Sequence, residues 1–160
     1  MESQPENPND PERRQKLPVS RGGRDDPQFQ ADRDVFYFLL SKHEQIQRTV
    51  TNRPNGVETV TEATDPSIAV QICEHAAAMH KRVLEHRPIR TRDPIFGELF
   101  QHADKIQMRI EETPNGVRVI ERSGEPYVAH LIREHARVVS LFVKSGHPEA
   151  VKDHPVPEFN

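Results

Sequence analysis

Cysteine is nearly absent. Cys73 is the single one in 160 residues, which excludes an intramolecular disulfide and any metal site built on paired cysteines. Charge of one sign is lacking too. The chain carries 22 Lys and Arg against 25 Asp and Glu, a formal net charge of −3, so no overall excess draws it to nucleic acid or to an anionic membrane. Long apolar runs are missing: none approaches the roughly 20 residues that span a bilayer, and no apolar segment follows Met1 as a secretory signal requires. These absences give the expectation of a cytoplasmic protein with no membrane span and no nucleic-acid partner. The sequence also shows no nucleophile–base–orienter grouping, no phosphate-binding glycine loop and no paired catalytic acids. An enzyme is therefore the least favoured class of function.

Hydrophobic residues make up 34% of the chain, and part of the deficit sits at the N-terminus. Residues 1–30 hold five of the fourteen prolines, the Gly22-Gly23 pair and only Met1, Leu17, Val19 and Phe29 as apolar side chains. Such a stretch cannot bury enough surface to offset its ordering entropy, so it reads as a disordered tail before a single domain at 31–160. The basic series Arg13, Arg14, Lys16, Arg21 and Arg24 is diluted by acids and reads as part of that solvated tail.

What is present is a repeat. Residues 36–95 laid over 96–155 without a gap agree at 17 of 60 positions, where average composition gives about three or four by chance. Pro54-Asn55-Gly56-Val57 falls on Pro114-Asn115-Gly116-Val117, and Glu74-His75-Ala76 on Glu134-His135-Ala136. The first copy opens with an apolar, helix-compatible run, Val35 to Leu40, with Asp32 or Asp34 as its cap. Ile46, Arg48 and Val50 then alternate with Gln47, Thr49 and Thr51, which is strand periodicity. Pro54-Asn55-Gly56 reads as a hairpin turn, proline presetting φ and glycine taking a left-handed position. Val57 to Ala63 returns, and Asp65-Pro66 starts a helix running to about Glu85. In the second copy a helix starts at Asp93-Pro94, Ile106 to Ile110 and Val117 to Glu121 alternate as strands, and a helix from Pro126 ends near Gly146. Each unit reads α-β-β-α. Because neither a lone hairpin nor a lone helix is stable in water, the copies must share a core. The expected fold is α+β: a pseudo-twofold duplicated α-β-β-α with a four-stranded antiparallel sheet and the helices on one face. The hairpins can pair within one chain or between two, so a homodimer is an open alternative.

Two histidines stand in both copies. Leu131, Ile132, Val138 and Val139 surround His135 at helical spacing, while His75 sees Ile72 and Met79 nearer the edge of its stripe. A buried imidazole either finds a hydrogen-bond partner or serves as a ligand. His43 and His102 each close the first helix of their copy and could approach His75 and His135. Two imidazoles are too few for a closed zinc site but suffice as axial haem ligands. Glu74 and Glu134 are the one acidic pair retained on the long helices. Cys73, Met79 and His80 do not converge, because Met79 lies about 100° around the helix from the other two, and Cys73 reads as a packed thiol. His86, His130, His147 and His154 read as solvent-facing.

The pattern from Phe36 to Pro157 resembles a group of small uncharacterised bacterial tandem-repeat proteins. The likeness rests on Asn55-Gly56-Val57, Glu74-His75-Ala76, Asp93-Pro94-Ile95-Phe96, His102-Ala103-Asp104-Lys105-Ile106, Glu134-His135-Ala136 and His154-Pro155-Val156-Pro157. It implies nothing firm about activity. Two functional expectations follow from the residues. One is non-catalytic binding of a transition metal or haem through His75 and His135, with His43 and His102 as helpers. The other is a structural or protein-interaction module whose histidines only satisfy the core.

Overall fold

A computed structural model describes residues 26–159. Helix α1 (Phe29–Ser41) leads through a 3-10 turn into strands β1 (Gln47–Arg53) and β2 (Gly56–Glu62), then helix α2 (Pro66–Glu85). The same order recurs as α3 (Pro94–Gln101), a 3-10 turn, β3 (Gln107–Thr113), β4 (Gly116–Arg122) and α4 (Pro126–Ser145), followed by the one-turn α5 (His147–Ala150). All four strands form one antiparallel sheet in the order β1-β2-β4-β3, so the hairpins join within the chain. At the central seam Thr59 pairs with Val119, and Gly56 with Arg122 as Glu62 does with Gly116. Among the described residues no helix is long and apolar enough to cross a membrane.

Local chemistry sets the boundaries. Asp65 caps α2, accepting from the Ser67 backbone N–H at 2.8 Å, and Pro66, Pro94 and Pro126 each occupy a first turn where no N–H is needed. α1 departs from its expected start. It begins at Phe29 after Gln28, with no side-chain cap, and Asp32 lies in its first turn and is buried. The hairpin glycines also differ from expectation. Neither Gly56 nor Gly116 has a positive φ. A Cβ on Gly56 would overlap the Glu121 carbonyl, and one on Gly116 the Thr61 carbonyl, so glycine is required there because the other hairpin's backbone comes too close.

One sheet face carries Arg48, Val50, Val57, Thr59, Thr61, Met108, Ile110, Val117, Val119 and Glu121, as the pairing register and pleat require. The helices cover this face, and they do so crosswise: α2 lies over β4 and α4 over β2 and β1. Two apolar clusters result. The larger gathers Leu40, Val57, Ile95, Leu99, Val128, Leu131, Ile132, Val138 and Phe142; the smaller gathers Ala63, Ile68, Ile72, Ala76, Val117 and Val119. Between them lies the site described below.

The residues expected as a tail fall mostly outside those described, at 1–25. Asp26 to Gln30, however, belong to the fold. Arg82 on α2, 2% exposed, donates to Asp26 and to Asp32, each at 2.7 Å, and Arg87 also pairs with Asp26. Asp26 and Asp32 are therefore part of the fold, because a buried arginine needs both carboxylates.

Candidate functional site

His75 and His135 come together. Both line a cavity of about 420 Å³ between the helices and the sheet, and both also line a second hollow of about 150 Å³ that shares Phe36, Glu121 and Phe142 with the first. Each imidazole packs on a phenylalanine from the short helix of its own repeat. The Phe36 and His75 rings stack at 6.0 Å, and Phe96 meets His135 edge-on at 5.0 Å. Phe36 and Phe96 are themselves an aligned pair, so the Phe–His unit occurs twice.

Neither imidazole is tied down. Among the described residues neither forms a hydrogen bond to the protein, and His75 Nδ1 is enclosed without a partner. Burial pushes both rings down to about 4; the charge of Arg48 and the neighbouring His75 lower His135 further, while Asp32 and Asp93 pull weakly the other way. At neutral pH both are uncharged, with a nitrogen lone pair free for a ligand.

The sheet supplies two charged groups to the same space, Arg48 from β1 and Glu121 from β4. Burial lowers Arg48 to about 10 against the pull of Glu121, and raises Glu121 to about 7 against the pull of Arg48. Arg48 donates to Thr61 Oγ1 at 3.0 Å, Ser140 Oγ at 3.1 Å and the Ala136 carbonyl at 3.4 Å. The Glu121 carboxyl group makes no hydrogen bond among the described residues. Arg48 aligns with Met108 and Thr61 with Glu121, so this pair breaks the internal symmetry. Sequence reasoning passed over both, although a signal existed: Arg48 stands in phase with Ile46 and Val50, and Glu121 with Val117 and Val119.

The other expected residues are placed differently. His43 borders only the smaller hollow, and its Nδ1 donates to the Val143 carbonyl at 2.8 Å, so it ties the 3-10 turn after α1 to α4 of the other repeat. His102 lies outside both hollows, bonded to Glu98 at 3.2 Å and edge-on to Tyr127. Glu74 is exposed, and Glu134 pairs with Arg137. Among the described residues no three His, Cys, Asp or Glu side chains converge to hold a metal ion. Cys73 donates to the Gly116 carbonyl at 3.2 Å, and burial raises its thiol, as fits a packed thiol.

His154 is a correction. Expected at the surface, it is 5% exposed and lies between two carboxylates, Asp93 at 2.6 Å and Glu149 at 2.7 Å. Asp93 caps α3 only through its backbone, because its side chain is spent on the His154 ring and on the His154 N–H. His86 and His147 are exposed as expected, while His130 is half-buried and bonded to the Glu158 carbonyl.

The larger cavity opens to the surface where it meets Tyr37, Thr91 and Arg92. Arg33 and Arg90 line the same end. Compared with models of protein families, with curated proteins and with solved structures, the chain matches none.

Proposed function

We propose that the protein binds haem without catalysing a reaction on it, with His75 and His135 as the axial ligands. The observation that carries this reading is the pair of neutral imidazoles on one cavity, neither hydrogen-bonded to the protein. A histidine kept only for the core should be satisfied by a backbone carbonyl, as His43 is by Val143. A bare transition-metal ion is the poorer fit, since a closed site wants more ligands than two imidazoles. Haem needs only the two axial positions from the protein. Its apolar ring suits walls of Phe36, Met79, Phe96, Met108, Val139 and Phe142. The volume of about 420 Å³ falls in the range of about 300–1,000 Å³ typical of small-molecule sites.

Titration with hemin tests the reading. The expected result is a saturable red shift of the Soret band at one haem per chain, lost or strongly weakened in His75→Ala and in His135→Ala while circular dichroism shows both variants folded. No Soret change on the folded protein rejects it.

A further inference from the structure

Three arginines, Arg33, Arg90 and Arg92, line the larger cavity; Arg33 has no carboxylate partner among the described residues, while Arg90 pairs with Asp93 and Arg92 with Asp153. Arg33 makes no ion pair or hydrogen bond among the described residues; its Nε is enclosed without a partner, and its guanidinium lies 5.8 Å from the Phe29 ring centre and 5.5 Å from that of Tyr37. Arg90 is held with φ at 57°, a conformation that costs energy for a residue with a Cβ and that clusters at ligand sites. Its guanidinium sits 5.8, 5.3 and 5.1 Å from the ring centres of Phe36, Phe96 and Phe142. Its Nη2 reaches the Ala150 carbonyl at 2.6 Å and Asp93 at 3.3 Å, and its Nε has no partner. Arg92 is two-thirds exposed, with Asp153 at 3.7 Å and the Ala150 carbonyl at 3.4 Å. The carboxylates lining this cavity are Asp32 and Glu121. Asp32 is committed to Arg82, and Glu121 belongs to the inner, sheet end.

One aromatic layer separates this cationic mouth from the histidines. Phe36 touches both His75 and Arg90, and Phe96 touches both His135 and Arg90. A ligand held between the imidazoles and reaching past these two rings would bring its outer edge to the arginines. A guanidinium with no counter-charge, as at Arg33, or with only a long ion pair, as at Arg90 and Arg92, is matched by a carboxylate, which accepts its hydrogen bonds in pairs.

Resting on the haem reading, we infer that Arg33, Arg90 and Arg92 form the ligand's anion clamp: haem sits with its two propionates outermost at these arginines, and the site selects a carboxylate-bearing macrocycle over a neutral one. The test compares hemin with hemin dimethyl ester on the full chain, in wild type and in the double variant Arg33→Gln/Arg92→Gln, which leaves the more buried Arg90 in place. Expected is about tenfold or greater preference of wild type for the free acid, one to two charge-assisted hydrogen bonds' worth. That preference should shrink severalfold in the double variant, and the Soret maximum of the bound form should not move. Equal affinity of wild type for acid and ester overturns the clamp and leaves the haem reading standing. Equal preference in wild type and variant also overturns it. No Soret change with either compound rejects the haem reading and this inference with it.

Discussion

Burial holds the His75 and His135 rings well below the ordinary histidine value, and this has a measurable consequence for stability. Each ring is lowered from 6.5 to about 4. In the unfolded chain both take up a proton near pH 6.5, whereas the folded chain resists until about 4, so their contribution is present above 6.5 and lost as the pH falls towards 4. At 1.36 kcal/mol per pH unit this is about 3 kcal/mol for each ring. Glu121, raised to about 7 by burial, works with the opposite sign: its protonated form is favoured in the fold, so stability is lost as the pH rises from 4.5 to 7. Two histidines against one carboxylate leave about one proton net, and unfolding free energy should therefore rise from pH 4.5 to 6. Urea midpoints against pH measure this, and His75→Gln/His135→Gln should flatten or invert the slope. An unchanged slope would show that the rings are hydrated.

His154 titrates the other way. Burial alone would lower it, but the hydrogen bonds to Asp93 and Glu149, with their charges, outweigh that and raise it above 6.5. Its contribution is complete below 6.5 and is lost as the pH climbs through the folded value. Replacing it with Ala removes the cation shared by Asp93 and Glu149 and leaves them to Arg90 and Lys152, at a cost of about 1–3 kcal/mol. The variant should also lose the decline of stability above pH 6.5, measured by thermal melts between pH 6 and 9.

At the scale of elements, the hairpins were the most legible part of the chain. Period-two alternation placed β1 to β4 within a residue or two, and the prolines placed the starts of α2, α3 and α4, because these signals depend on neighbours in sequence. The reason for the glycines was not legible, since it depends on the other hairpin lying against Gly56 and Gly116. Gly116→Ala should push β2 from β4 and cost about 1–3 kcal/mol, as overpacking does. A chemical-denaturation midpoint within error of wild type would mean that the strands separate freely. The start of α1 was missed for a similar reason. Asp26 and Asp32 are polar and look like tail and cap, and only Arg82, some fifty residues further on, makes them core. Arg82→Ala should cost about 3–5 kcal/mol by leaving the buried Asp32 without a cation and Asp26 with Arg87 alone.

For the molecule as a whole, the crosswise packing of α2 over β4 and α4 over β2 has one outcome that matters for function. It puts His75 and His135, sixty residues apart, on one cavity between two apolar clusters, with Arg48 and Glu121 beneath them. The retained Glu-His-Ala segments pointed to the two rings. The floor and the arginine mouth come from strand phase and long-range packing, and for Arg33, Arg90 and Arg92 no local sequence pattern exists. The central claim is that both rings serve one ligand. The most direct measurement is the ferric electron paramagnetic resonance spectrum of the hemin-loaded chain. The account predicts a low-spin, bis-imidazole signal at one haem per chain that becomes high-spin in both His75→Ala and His135→Ala. A high-spin wild-type spectrum, or a low-spin signal untouched by either substitution, would contradict it.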